Sequence, residues 1–277
     1  MNNPRDDNPN GLGPLDHTGR VVLVTGGTKG IGRGIAARYA AAGAAVVVCG
    51  RTAPGSATAH DEAAVRPAAG PPIFMACDVR DPDQVAALVD GVVERFGRLD
   101  VVVNNAGGAP WADSATASPR FNEKIVALNL IAPFTVAQAA NRVMQPQEGG
   151  GAVVNIASVS GTRPSPGAAA YAAAKAGLLN LTQTLAVEWA PAVRVNAVVA
   201  GLIATEQAHL HYGDDAAIAR VAATVPAGRM GTPDDIAGAC LYLSSPLAAY
   251  VTGAALSVHG GNERPAYLGA VAGDPGG

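Results

Sequence analysis

The chain has 277 residues, 49 % of them hydrophobic and 15 % charged, with a formal net charge of −3. That length suits one α/β domain or two small ones, and the composition excludes wholesale disorder. The charge balance, with no local cluster of Lys and Arg, gives no footprint for nucleic acid or for an anionic membrane surface.

Residues 1–19 are polar and lack an apolar core run, which predicts a flexible N-terminal segment, no signal peptide and a cytoplasmic location. From Arg20 the chain alternates short β-branched runs with helical patterns. Strands are expected at 21–24, 46–49, 73–76, 101–103, 153–156, 193–199 and 254–258. Helices are expected at 30–42, 82–96, 119–145 and 168–189, the second with Asp81 as N-cap and Pro82 at its first position. The stretch 53–72 holds four prolines and only weak helical periodicity. The run 236–256 carries no charge, but Ser244, Ser245, Pro246 and Gly253 break it, so it reads as a buried helix followed by a buried strand, not a membrane span. Apolar strands alternating with helices imply βαβ units, hence a Rossmann-type, doubly wound, seven-stranded parallel sheet with helices on both faces. A single domain over 20–262 is expected, with a tail over 263–277 that includes Pro265, Tyr267 and Leu268. The cysteines Cys49, Cys77 and Cys240 have apolar neighbours and no CxxC spacing, and read as buried free thiols. His209 and His211 sit in a predicted loop and give no metal signature.

Between the first strand and the first helix lies Thr25-Gly26-Gly27-Thr28-Lys29-Gly30-Ile31-Gly32. Glycines here permit a sharp turn and close approach to a pyrophosphate, while the helix start offers unpaired N–H groups. With its Thr-Gly-x-x-x-Gly-x-Gly turn, the chain resembles the short-chain dehydrogenase/reductase family over about 20–261, with Gly26, Gly30 and Gly32 at the family's glycine positions. An acidic residue after the second strand would select NAD(H) by binding the adenosine ribose. This chain has Arg51 there, and Lys29 nearby, two cations suited to a 2′-phosphate. NADP(H) is therefore the expected cofactor, with NAD(H) as the alternative. By resemblance, Thr28 and Ile31 complete the phosphate turn, Asp78 and Val79 face adenine, and Asn105, Ala106 and Gly107 (after Asn104) support the ribose.

Tyr171 and Lys175 are four residues apart on one predicted helical face, with Ser158 thirteen positions earlier at a strand end and Asn129 in the preceding helix. In the family these four positions form the active site. A ketone reduced to an alcohol needs a proton on oxygen. A free phenol, with a pKa of about 10, is poorly matched to neutral pH, and an ammonium such as Lys175 is expected to lower it. Ser158 would hydrogen-bond the substrate oxygen. By resemblance, Lys175 also holds the nicotinamide ribose, Asn129 holds a water linked to Lys175, and Ile203 and Thr205 hold the carboxamide. The family's Pro-Gly after the sixth strand is Ala200-Gly201 here, which frees φ at the turn.

The expected walls of the substrate pocket are 108–113, 162–166 and 202–225, including Trp111, Pro164 and Tyr212, with Arg163 as the main charge. They predict a mostly apolar carbonyl or alcohol substrate, either a 3-oxoacyl thioester or a ring ketone. The long Ala-rich helices predict a homodimer or homotetramer. The rival reading is an NADP(H)-binding sensor without turnover, since fold alone does not separate the two; the intact Ser, Tyr, Lys and Asn set favours the enzyme.

Overall fold

A strand built only of Val, Leu and Ile is stable where both its faces are covered. The computed structural model, which describes residues 13–53 and 70–263, gives the chain that arrangement. Seven strands form one all-parallel sheet in the order β3-β2-β1-β4-β5-β6-β7. They are β1 (Val21–Thr25), β2 (Ala45–Gly50), β3 (Ile73–Ala76), β4 (Val101–Asn104), β5 (Gly151–Ser158), β6 (Val193–Ala200) and β7 (Ala255–Val258). The helices are α1 (Gly30–Ala41), α2 (Pro82–Phe96), α3 (Pro119–Val126), α4 (Ala132–Met144), α5 (Ala169–Trp189), α6 (Ala208–Tyr212), α7 (Asp215–Thr224) and α8 (Pro233–Ser244).

Alternate residues of each central strand enter two different cores. Val21 and Leu23 face α2, α4 and α5 with Val85, Leu88, Val136 and Leu185. Val22 and Val24 face α1 and α8 with Ile35, Tyr39, Ile236 and Cys240. Each fully buried side chain of this size stabilises the fold by about 1.5–3 kcal/mol relative to exposure. Capping follows the sequence. Asp81 accepts hydrogen bonds from the backbone N–H groups of Asp83 and Gln84, and Gly97 closes α2 at φ 74°. Thr232 and Asp235 form a reciprocal capping box at the start of α8. All three cysteines are buried and free.

The structure departs from the sequence reading in four places. The folded body begins before Arg20: His17 is fully buried, its ring nitrogens hydrogen-bonded to Leu15 O and Ser244 Oγ, both at 2.9 Å. The helix expected over 119–145 is divided by a π-turn, Ala127–Ile131, which inserts an extra residue into the helical repeat. The strand expected to be buried at the end of the 236–256 run is β7, an edge strand that covers one side of β6 and exposes alternate residues. His209 and His211 lie on the short helix α6, not in a loop. Positions 54–69, most of the proline-rich stretch, and the tail residues Pro265, Tyr267 and Leu268 fall outside the described residues. Among the described residues no helix is long and apolar enough to cross a membrane, and no cluster of three His, Cys, Asp or Glu side chains could hold a metal.

Strand order reverses between β1 and β4, so the chain leaves these neighbours toward opposite faces and opens a crevice above their C-terminal ends. The glycine-rich turn, Asn105, Ser158 and Gly201 all follow or end strands at this edge.

Candidate active site

The glycine-rich turn leaves β1 at Gly26 and enters α1 at Gly30, with φ values of 63° and 53° that favour glycine at both. A Cβ on Gly32 would lie 2.4 Å from both Asn105 Nδ2 and Gly26 O, so turn and helix meet with no room for a side chain. Asn105 is the clasp: its Nδ2 donates to Thr25 O at 2.9 Å and Gly26 O at 3.2 Å. Its own N–H, and that of Ala106, donate to Thr25 Oγ1 at 3.0 Å. Thr25 and Asn105 thus set the spacing between the ends of β1 and β4. Asn104 points the other way, donating to Pro133 O and to Asn155 Oδ1, and braces the sheet.

Gly30, Ile31 and Gly32 are the first residues of α1, and the first helical bond back into the turn is Arg33 N–H to Lys29 O. The earlier N–H groups therefore lack acceptors within the helix. Gly30 N–H is engaged by a carboxylate oxygen of Glu206, at 2.8 Å. An anion thus already sits on this turn, which fits it for phosphate oxygens. Lys29 is exposed at the N-cap, and Arg51 is exposed just past β2. A Cβ on Gly50 would lie 3.7 Å from Thr28 Oγ1, which puts the Lys29 turn beside the Arg51 strand end. Asp78 follows β3, and the hydrogen bond from Arg80 holds its carboxyl down to about 2, with the charges of Arg80 and Arg51 adding to the effect. Val79 beside it is buried.

The four proposed catalytic positions come from three elements. Ser158 ends β5, and its Oγ accepts the Ser160 N–H at 3.2 Å. Tyr171 and Lys175 share one face of α5, with Lys175 Nζ 5.7 Å from the Tyr171 ring centroid. Asn129 is fully buried in the π-turn. Its Oδ1 accepts Gly108 N–H at 2.8 Å, and its Nδ2 donates to Gly108 O and Ile125 O. A Cβ on Gly107 would stand 2.7 Å from Asn129 Oδ1 and 3.4 Å from Lys175 Nζ, so this glycine lets the loop after β4 lie against both side chains. The π-turn is what aims Asn129 at that loop.

The electrostatics differ from the sequence expectation. Burial raises the Tyr171 phenol above its ordinary value; a hydrogen bond with Ser158 opposes this and nearby Tyr212 adds to it. Lys175 Nζ lies over the Tyr171 ring face and donates to Ile156 O at 2.7 Å. Burial pushes the lysine itself down to about 8. At neutral pH the phenol is therefore protonated and able to give a proton to an acceptor.

After β6, Gly201 N–H donates to Val258 O, which ties the turn to β7. Ile203 is buried and bridges Gly231, and Thr205 lies beside Gly30. A small cavity of about 20 Å³ adjoins Tyr171, walled by Ala109, Pro110, Ala112, Phe121, Ile125 and Gly167 among others. Trp111 is 77 % exposed and packs on Gly167, where a Cβ would meet its indole nitrogen at 2.0 Å. Two acidic residues were missed from sequence. Glu206 immediately follows Thr205, and Glu263 is ion-paired with Arg163. Chain adjacency to Thr205 could have flagged Glu206; nothing local flags Glu263, which lies 100 residues from its partner.

A family model described as enoyl-(acyl carrier protein) reductase matches residues 26–263. An L-rhamnose 1-dehydrogenase (NAD(P)(+)) of Azotobacter vinelandii is 38 % identical over 249 residues, covering 87 % of this chain and 96 % of that protein. A ketoacyl reductase assigned to the granaticin polyketide synthase of Streptomyces violaceoruber is 39 % identical over 244 residues, covering 87 % and 95 %. A solved structure from Sinorhizobium meliloti, described as a short-chain alcohol dehydrogenase, superposes with a TM-score of 0.81 at 38 % identity, covering 89 % of this chain and 97 % of that one. The sheet order, the glycine-rich turn and these relatives converge: the chain belongs to the short-chain dehydrogenase/reductase family, as an oxidoreductase of CH–OH and C=O groups.

Proposed function

We propose that the protein interconverts a ketone and a secondary alcohol with NADP(H) as the hydride carrier and Tyr171 as general acid/base. The observation that carries this reading is the half-buried, protonated phenol of Tyr171 facing Ser158 at the C-terminal edge of the sheet, where the glycine-rich turn also opens. When bound, the nicotinamide supplies or accepts the hydride. The chain's own residues do the rest. Gly30, Ile31 and Gly32 offer N–H groups to the pyrophosphate, flanked by Gly26 and Thr28. Lys29 and Arg51 would meet the 2′-phosphate; the residues directly after β2, Arg51 and Thr52, include no acidic side chain to oppose it. Asp78, Val79, Asn105, Ala106 and Gly107 border the adenosine and ribose, and Gly201, Ile203 and Thr205 border the nicotinamide end.

In the reducing direction Tyr171 gives its hydroxyl proton to the substrate oxygen, while Ser158 donates a hydrogen bond to that oxygen as charge develops. Lys175 stabilises the phenolate left behind. Its titration near pH 8 lets it return a proton to Tyr171 under mild conditions. Asn129, held by Gly108 and Ile125, fixes the loop that borders Lys175. NAD(H) is the alternative carrier, as the dual specificity printed for the rhamnose dehydrogenase illustrates.

The substrate we propose is a mostly apolar carbonyl compound, a 3-oxoacyl thioester or a ring ketone. The apolar walls beside Tyr171 support it. We propose a homodimer or homotetramer, supported by large apolar side chains left in water: Val187 on α5, Ile131 at the π-turn, Tyr242 on α8, and Leu247 and Tyr250 between α8 and β7.

The test is oxidation of NADPH at 340 nm against ketones and 3-oxoacyl thioesters, with NADH and Tyr171→Phe in parallel. Turnover with NADPH that Tyr171→Phe abolishes, while nucleotide binding persists, is the expected result. Nucleotide binding with no turnover on any carbonyl would favour the sensor reading.

A further inference from the structure

The contact of Glu206 with Gly30 is unexpected. In a site proposed to hold a pyrophosphate dianion, a carboxylate of the same chain has taken one of the donors. We propose that Glu206 is an internal competitor for the pyrophosphate seat, and that dinucleotide entry must displace it together with the segment that carries it. The inference rests on the nucleotide reading above and goes beyond it by naming a residue that sets cofactor affinity.

Four observations carry it. Gly30 is the first residue of α1, and its N–H has no acceptor within the helix. Glu206 Oε1 accepts that N–H at 2.8 Å, and Oε2 lies 3.8 Å from Arg33 Nη2. The carboxylate therefore shares both the donor and the local positive charge that a phosphate would use, with Lys29 beside them. Glu206 is also easy to move. Its side chain is 41 % exposed, and it lies in the short connection between β6 and α6. Its neighbour Thr205 brings a methyl group to 3.7 Å from where a Gly30 Cβ would stand, so residues 205–206 rest directly on the turn.

Two anions cannot share one N–H. When the pyrophosphate arrives, the Glu206 carboxylate leaves Gly30, and Arg33 can keep hold of it. Residues 202–212, which border the proposed nicotinamide end and the substrate pocket, are thereby coupled to nucleotide occupancy. Release of Glu206 is the cost that binding must offset, so the nucleotide binds more weakly than the bare turn would allow.

The experiment is titration calorimetry of the full chain with NADPH, NADH and inorganic pyrophosphate, for wild type, Glu206→Gln and Glu206→Ala. An amide is a weaker acceptor than a carboxylate and carries no charge, so Glu206→Gln should lower the Kd for NADPH and for pyrophosphate about five- to tenfold. Glu206→Ala should lower both at least as far. Thermal unfolding of each variant within a few degrees of wild type would show that the fold is intact. Unchanged or weaker binding of both probes in both variants would overturn the proposal, and weaker binding would make Glu206 a strap over bound nucleotide. If wild type bound neither nucleotide but both variants gained affinity for pyrophosphate, the competitor would stand and the nucleotide reading would fall.

Discussion

Replacing Lys175 by methionine should stabilise the fold at neutral pH while abolishing turnover. The lysine is 3 % exposed, titrates near pH 8 in the fold and near its ordinary 10.5 when the chain is unfolded. Each tenfold loss of proton affinity corresponds to about 1.4 kcal/mol, so holding the ammonium at pH 7 costs the folded state about 3 kcal/mol. Methionine fills a similar volume without charge. It forfeits the hydrogen bond to Ile156 O, worth about 1 kcal/mol where the carbonyl loses a partner. The net gain is about 2 kcal/mol, or roughly 4–8 °C in Tm for a chain of this size. The pH dependence has a fixed sign. Because the folded pKa is depressed, the unfolded chain binds more protons between about pH 8 and 10.5, and wild-type stability rises relative to Lys175→Met across that window. Urea unfolding of both proteins at pH 7, 8, 9 and 10, at one protein concentration, measures the gap. It should be widest at pH 7 and close toward pH 10. A methionine variant less stable at pH 7, or a gap that does not change with pH, would refute the account of Lys175 as a strained buried cation.

Four further outcomes follow from the same geometry. Arg51→Ala should raise the KM for NADPH about 10- to 100-fold, the loss of one charge-assisted phosphate contact, and leave NADH kinetics unchanged in steady-state assays. Ser158→Ala should cut kcat about 10²- to 10³-fold with little change in nucleotide Kd, as for loss of a donor to the reacting oxygen. Gly32→Ala places a methyl group 2.4 Å from Asn105 Nδ2 and Gly26 O, so it should lower Tm and weaken NADPH binding together, by calorimetry. Asp78 contributes stability that is present above its ordinary pKa of 3.8 and lost as pH falls toward 2; Arg80→Ala should raise the carboxyl pKa toward 3.8, read by NMR titration.

The sheet was legible in the sequence because its strands are buried on both faces. Runs such as Val46 to Cys49 have no polar interruption, and only two flanking layers can shelter them. The edge strand β7 was misjudged for the same reason: Ala255 and Leu256 have the composition of a core strand whether or not a neighbour lies beyond. The π-turn at Asn129 leaves no mark in apolar spacing, since one inserted residue falls within the tolerance of a helical repeat. The proposed catalytic residues were legible as residue types at fixed spacings, but their electrostatics were not. Whether Lys175 lowers the Tyr171 pKa depends on where Nζ points, and the Ile156 carbonyl and the ring face decide that. The Arg163–Glu263 pair joins distant parts of the chain, and no local pattern predicts it.

The strand reversal between β1 and β4 also divides labour along the chain. Everything proposed to choose the dinucleotide, from Gly26 through Arg51 to Asp78, precedes β4. Everything proposed to perform the chemistry, from Asn129 through Lys175, follows it. Two sets of side chains that meet over one crevice are thus encoded in separate stretches of sequence. Coenzyme choice and chemistry can therefore change in separate stretches of sequence, provided that the contacts joining them, such as the β1–β4 pairing and the Thr25–Asn105 clasp, stay in register.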